Sequence, residues 1–200
     1  LLLHLRKARP MPSNDRADAV FDVMRTRRAV RSFTTEPVAV ADLRRIIEAA
    51  RWASSAGNRR LHRFFVTRDP EKIDLISTIG PGFYGQPAAL IVICTDLERL
   101  DGFGVRREAD TSTWIDVGTA AMNMQLMAHA LGLGTTPVTS VSQSGLREAL
   151  ELPDNLRADL ILQVGHPAPS KRRPGTGKAL RVEDIPDWEA VGGLFPDEDR

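Results

Sequence analysis

Three arginines fall within the short run Thr26–Phe33 (T-R-R-A-V-R-S-F), at positions 27, 28 and 31. The whole chain carries a formal charge of only +1, so permanent cations are concentrated here against a nearly neutral background. A guanidinium offers a planar fork of N–H donors, keeps its charge near neutrality and meets a phosphate with two parallel hydrogen bonds. The run therefore points to a bound anion. A solvated helix end whose cations answer the helix dipole accounts for the same residues, and the run alone does not separate the two. A second group is the small-residue loop S-S-A-G-N at Ser54–Asn58. With no bulky side chain in the way, its backbone N–H groups can approach a ligand, or the loop simply ends a helix. A third is G-T-T-P-V-T-S at Gly134–Ser140, which either presents backbone N–H groups or connects a strand to a loop.

The elements that must position these groups follow from periodicity and punctuation. Leu1–Arg16 reads as a polar, proline-containing, flexible arm, followed by one domain over residues 17–200. Ala17–Thr26 is predicted helical, with Val20, Phe21, Val23 and Met24 as its apolar residues. Val40–Ala53 carries Leu43, Ile46, Ile47 and Ala50 at helical spacing and runs into the Ser54–Asn58 loop. Arg63–Thr67 reads as a strand. Asp69–Ile79 reads as a helix, with Asp69 as its cap, Pro70 in its first turn and Gly80 as its stop. Ala88–Thr95 is a continuous apolar strand of the kind buried on both faces. Trp114–Leu131 is a long helix, apolar nearly all round, which suits either a core or a subunit interface. Its Asn123 and Gln125 then require partners. Leu160–Val164 is a last buried strand, and Gly165–Lys178 is rich in proline, glycine and bases. Mixed elements with more helix than strand indicate an α+β sandwich on a short sheet.

Composition narrows the class. Hydrophobic content of 42% and charged content of 26% are ordinary for a globular protein. The opening L-L-L-H-L is too short for a signal-peptide core, and no apolar run reaches the roughly 18 residues of a membrane span. The one cysteine, Cys94, sits in the apolar run A-L-I-V-I-C as an inert buried thiol. It excludes an internal disulfide and a cysteine-based metal cluster and fits a reducing cytoplasm. Four scattered histidines argue against a zinc site. A near-zero net charge without a recognised motif argues against a nucleic-acid partner.

Four ordered blocks carry a resemblance that covers roughly Met24 to Pro169. R-R-A-V-R-S-F is similar to R-R-S-x-R-x-F, and E-A-A-R-W-A-S-S-A-G-N-R to E-A-A-x-x-A-P-S-A-G-N. D-V-G-T-A-A-M-N-M-Q-L-M-A-H-A-L-G-L-G is similar to D-x-G-x-A-x-x-N-x-x-L-x-A-x-x-L-G-L-G, and L-I-L-Q-V-G-H-P-A to a closing strand and G-Y-P. Together they resemble the nitroreductase family of FMN-dependent NAD(P)H oxidoreductases. The resemblance implies an α+β fold with a short, mainly antiparallel sheet flanked by helices and a long central helix at a homodimer interface. It implies one FMN in each of two intersubunit clefts, reduced by NAD(P)H and reoxidised by a small-molecule acceptor such as a quinone or nitroaromatic, in ping-pong order. By this carry-over Arg27 and Arg28 bind the FMN phosphate, and Ala29 stands where the family has a contacting serine. Arg31 sits at the pyrimidine edge of the ring, where a fixed cation favours the negative charge of the reduced state. Ser54, Ser55, Ala56 and Asn58 line the cofactor from the partner subunit. Backbone N–H groups at Thr139 and Ser140 face flavin N5, and Arg173 and Lys178 are tail candidates for the phosphate.

The departures from the pattern are as specific as the matches. After the asparagine the family has x-Q-P-W, where this chain has Arg59-Arg60-Leu61-His62. A glycine expected near Ser140 is absent, and the segment before Trp114 is short and polar. The flavin carries the chemistry, so no side chain is assigned as catalytic, and His62 is at most a proton donor. A flavin-binding or sequestering protein of the same fold, without reductase activity, is the alternative that the altered segment suggests.

Overall fold

The continuous apolar run from 89 to 94 dictates the centre of the molecule. The computed structural model describes residues 13–105, 107 and 110–169. Arg173, Lys178 and most of the N-terminal arm lie outside the described residues. All eight residues of strand β2 (Ala89–Asp96) are buried. Successive side chains of a strand point to opposite faces, so both faces of β2 have to be covered. Strand β1 (His62–Thr67) flanks β2 on one side and strand β4 (Leu156–Gly165) on the other. Strand β3 (Gly134–Val138) pairs with the far side of β4. Every pairing is antiparallel and the order is β1-β2-β4-β3.

Helices cover each face. Ala89, Ile91 and Ile93, with Leu162 and Val164, meet helix α2 (Val40–Arg51) through Leu43, Ile46 and Ala50. The same face meets the long helix α5 (Ser112–Ala130) through Val117, Ala121 and Met124. On the other face Leu90, Val92, Cys94 and Ile161 meet Ile73 and Ile76 of helix α3 (Pro70–Thr78) and Leu146 of helix α6 (Gln143–Ala149). Helix α1 (Ser13–Thr26) lies against α5, where Thr26 Oγ1 and His129 Nε2 are 2.8 Å apart. The short helix α4 (Leu97–Asp101) follows β2. Asn123 finds its partner by donating to the Ala49 carbonyl at 3.2 Å.

The α+β fold with a short antiparallel sheet is as expected, and the differences are local. Helix α1 begins at Ser13, earlier than the apolar spacing indicates. Gly134–Val138 resolves as a strand, which leaves Thr139 and Ser140 at its end. Helices α4 and α6 were not foreseen. Each rests on a cap, Asp96 accepting from Arg99 N–H at 3.0 Å and Ser142 from Gly145 N–H at 3.2 Å. β4 starts at Leu156 rather than Leu160, because residues 156–158 also pair with β2, across a bulge. Ile93 faces Leu160 and Cys94 faces Ala158, so Asp159 is the extra residue. Its buried carboxylate accepts the Thr95 hydroxyl and pairs with Arg157 at 2.5 Å. Burial, reinforced by Asp159, pushes the Cys94 thiol up to about 12, as its inert role requires. Among the described residues no helix is long and apolar enough to cross a membrane, and no cluster could hold a metal ion.

Candidate functional site

Beyond the last turn of α1 the chain extends and docks along β3. Val30 N–H donates to the Thr135 carbonyl at 2.9 Å, and the Thr136 hydroxyl donates back to the Val30 carbonyl. Further on, Thr34 N–H donates to the His166 carbonyl and Ala168 N–H to the Ser32 carbonyl, each at 2.9 Å. The approach is close enough to need glycine. A Cβ at Gly134 would lie 2.6 Å from that of Val30, and one at Gly165 would lie 2.8 Å from the Phe33 ring. Backbone contacts to β3 and to the chain just beyond β4 thus fix the arginine run.

The arginines of the run differ from their neighbour. Arg25 pairs with Asp22 at 2.9 Å, whereas Arg27, Arg28 and Arg31 form no ion pair with a described carboxylate. Arg28 Nη1 donates to the Arg25 and Arg27 carbonyls at 2.6 and 2.8 Å, so part of one guanidinium satisfies the end of α1. The helix-end account therefore holds for part of Arg28 and leaves Arg31 unexplained. Arg31 is exposed and lies over the Tyr84 ring, its Cζ 5.1 Å from the centroid. Ala29, Thr139 and Ser140 are exposed as well. The segment from Gly82 to Gly85 bridges the strand end and the run. A Cβ on Gly82 would touch Val138 and Ser140, and one on Gly85, whose φ is +64°, would lie 2.9 Å from the Arg31 carbonyl oxygen. No motif flagged this segment, and a tyrosine between closely spaced glycines was its only mark.

The Ser54–Asn58 loop is built on the other end of α5. Ala56–Asn58 forms one tight turn, with Gly57 and Asn58 in the left-handed region at φ 57° and 52°. Buried Asp116 receives the Ala56 N–H on both carboxylate oxygens, at 3.0 and 3.1 Å. The Thr119 hydroxyl donates to the Ser54 carbonyl at 3.1 Å. Arg59, which the sequence suggested as added surface charge, turns inward instead. It is 8% exposed, donates to the Ala56 carbonyl at 2.9 Å and to the Ser112 hydroxyl, and lies 3.8 Å from Asp110. Burial alone would raise the Asp110 carboxyl. Hydrogen bonds from Ser112 and Thr113, with the charge of Arg59, outweigh that and hold it below the usual carboxylate range. Arg60, at φ 52°, donates to Asn58 Oδ1 at 2.9 Å and so orients that amide.

His62 does not reach out from the loop. Both its ring nitrogens are buried without partners, and burial lowers its pKa from 6.5, so the ring is neutral at pH 7. Burial thus disfavours the imidazolium, the form that would release a proton to an acceptor. His62 lines a cavity of about 280 Å³ with Ile47, Ala50, Ser55, Arg60 and Phe64. The two groups of site residues thus stand apart. Asp116 anchors the loop and His129 anchors the residue before Arg27, which places the anchors about 20 Å apart along α5 at 1.5 Å per residue.

The sequence model of the Nitroreductase family matches residues 24–82 and 77–166. The chain belongs to the nitroreductase family. A Methanothermobacter thermautotrophicus protein assigned as an NADH dehydrogenase/NAD(P)H nitroreductase is 30% identical over 78% of this chain and 80% of its own length. The FMN reductase [NAD(P)H] of Bacillus subtilis is 33% identical over 70% of this chain and 63% of its own. Among solved structures, a Desulfovibrio desulfuricans protein assigned as a nitroreductase and crystallised with FMN superposes with a TM-score of 0.66. It is 32% identical, covering 78% of this chain and 91% of that one. In this nitroreductase-family chain the first three motif blocks lie wholly within the matched residues and the fourth does as far as His166, and the loop that departs from the family pattern is folded into the structure.

Proposed function

We propose that the chain is an FMN-dependent oxidoreductase that takes electrons from NAD(P)H and gives them to a small-molecule acceptor such as a quinone or nitroaromatic. The observation that carries this reading is the set of three guanidinium groups, Arg27, Arg28 and Arg31, without carboxylate partners among the described residues and mounted on β3 by hydrogen bonds at Val30. The donor set suits FMN: cations for a phosphate, an exposed strand end at Thr139–Ser140 for a ring edge, and a turn of small residues for the ring's other side. Bound FMN supplies two-electron transfer between a nicotinamide and an acceptor.

The chain's own residues bind and orient. Arg27 and Arg28 hold the phosphate, and Ala29 adds no hydroxyl, so the phosphate depends on the guanidinium groups. Arg31 holds positive charge at the pyrimidine edge, which favours the reduced, anionic state. Thr139 and Ser140 present their backbone to the ring. Ser54, Ser55, Ala56 and Asn58 act from the partner subunit, because about 20 Å of α5 separates them from the arginine run of their own chain. A homodimer also covers the apolar surface left open. Ile115 and Met122 on α5 are 64% and 44% exposed, and Val20, Phe21 and Met24 on α1 are all more than half exposed. Between these helices and Trp52 lies an apolar groove of about 480 Å³, and contiguous exposed apolar surface of this kind marks an interaction site. Donor and acceptor use the same cleft in turn, which makes the order ping-pong. A single buried thiol suits a reducing cytoplasm.

The test is an anaerobic visible spectrum of the FMN-loaded protein before and after NADPH and then NADH. Flavin bands that bleach and return with an acceptor are expected. Bands that persist would leave a flavin-binding protein of the same fold, and failure to bind supplied FMN would overturn the reading.

A further inference from the structure

The segment joining α3 to β2 belongs to none of the motif blocks, yet it touches both parts of the proposed ring site. Through Gly82 it packs on Val138 and Ser140, and through Gly85 on the Arg31 backbone. Between those glycines stands Tyr84, the chain's one tyrosine, with Arg31 over its ring at 5.1 Å. The Tyr84 backbone is held from the core. Its N–H donates to Gln163 Oε1 at 3.3 Å, and its carbonyl accepts from Gln163 Nε2 at 3.0 Å. Gln163 is fully buried in the central strand β4, where an amide without partners is strongly disfavoured. The clamp therefore ties the Tyr84 backbone to the buried centre of the sheet.

An exposed arginine on a flexible stem samples many rotamers, and its field at any one point is diluted accordingly. A guanidinium resting on an aromatic face is attracted by the ring quadrupole and held over it. We infer that Tyr84 is the positioning residue of Arg31: clamped by Gln163, its ring holds the guanidinium at a set distance from the Thr139–Ser140 backbone. The inference rests on the reading of Arg31 as the cation at the flavin edge. It makes the bound flavin's redox balance depend on an aromatic ring at position 84.

Two measurements test it. With one tyrosine, protein labelled with 3-fluorotyrosine reports on residue 84 alone. In FMN-free protein Arg31→Ala should move its fluorine signal, and an unmoved signal overturns the stack. In the FMN-loaded protein the midpoint potential is compared for wild type, Arg31→Ala, Tyr84→Phe, Tyr84→Leu and the Arg31→Ala/Tyr84→Leu double variant. Tyr84→Phe should match wild type. Tyr84→Leu should lower the preference for reduced over oxidised flavin roughly threefold, about 15 mV for a two-electron couple, and add nothing in the Arg31→Ala background. If Arg31→Ala lowers the potential but Tyr84→Leu does not, or Tyr84→Leu acts equally without Arg31, the positioning role fails while the Arg31 reading stands. If Arg31→Ala leaves the potential unchanged, the reading of Arg31 falls and takes the positioning role with it.

Discussion

Replacing Gly134 with alanine tests whether β3 holds the arginine run in place. The added carbon would lie 2.6 Å from Val30 Cβ and Cγ2 and 2.7 Å from Cγ1, against about 3.5–4.0 Å for an ordinary carbon contact. A rotamer change can turn the two methyls aside. Val30 Cβ moves only with its backbone, so the segment must retreat by about 1 Å. The Val30 N–H bond to Thr135, now 2.9 Å, would then pass out of hydrogen-bond range. Losing it together with the Thr136 hydroxyl bond costs about 1 kcal/mol each, and residual overpacking adds about 1 kcal/mol. We therefore expect urea unfolding to report a loss of about 2–3 kcal/mol. Arg28 and Arg31 lie within two residues of Val30, so FMN affinity, titrated by fluorescence quenching, should fall at least roughly tenfold, the equivalent of about 1.4 kcal/mol. Val30→Gly in the same chain removes the obstructing carbon and should restore most of the affinity, whereas Val30→Ala keeps it and should not. A Gly134→Ala protein with wild-type unfolding and wild-type FMN affinity would refute the docking argument.

Other outcomes follow from the same geometry. Arg27→Ala with Arg28→Ala removes two charge-assisted contacts of about 1.5–3 kcal/mol each and should strip FMN during purification; full retention contradicts the phosphate role. Ile115→Glu with Met122→Glu charges the exposed stripe of α5 and should reduce the mass seen by light scattering to that of one 22.0 kDa chain; an unchanged dimer would exclude this face. Asp116→Ala orphans the Ala56 N–H and should cost about 2 kcal/mol in unfolding, with Asp116→Asn intermediate; equal stability of all three proteins would show that the carboxylate is not an anchor. The folded pKa of His62 lies below its ordinary 6.5 because burial disfavours the charged ring. The unfolded chain then binds the proton more readily, so this contribution is complete above pH 6.5 and lost as pH falls below it. His62→Phe should flatten that decline in urea titrations between pH 7 and about 5, and parallel curves for the two proteins would remove the role assigned to the ring.

How far the fold was legible depended on how local its causes were. The run 89–94 names its own burial, Asp69 and Pro70 announce α3, and the ordered motif blocks carry the family. Helices α4 and α6 are short and depend on single caps, which leave no periodicity to read. The first half of β4 hides behind Arg157 and Asp159, two charges beside the apolar run 160–162, and its bulge shows only in the pairing with β2. Gln163 reads as an interruption of a strand, and its partner Tyr84 lies far away in sequence. Arg59 looks like a solvated charge until Ser112 and Asp110 are brought beside it by the fold. In the candidate site, residue types and order were visible early. The 20 Å separation of the two groups, and the exposed apolar stripe, required the packing of α5.

The docking of Ala29–Thr34 has a further consequence, for solubility. An outermost strand exposes a row of unsatisfied N–H and C=O groups that can template pairing with another molecule. Here the outer side of β3 is met by Ala29 and Val30, and the chain beyond β4 by Ser32–Thr34. The segment that carries the arginines is thus also the guard of the β3 edge against edge-to-edge self-association. A ligand that ties those arginines down holds the guard closed, while changes that loosen the run open it. Loss of the cofactor and onset of aggregation should therefore come together in this protein, from one displaced stretch of backbone.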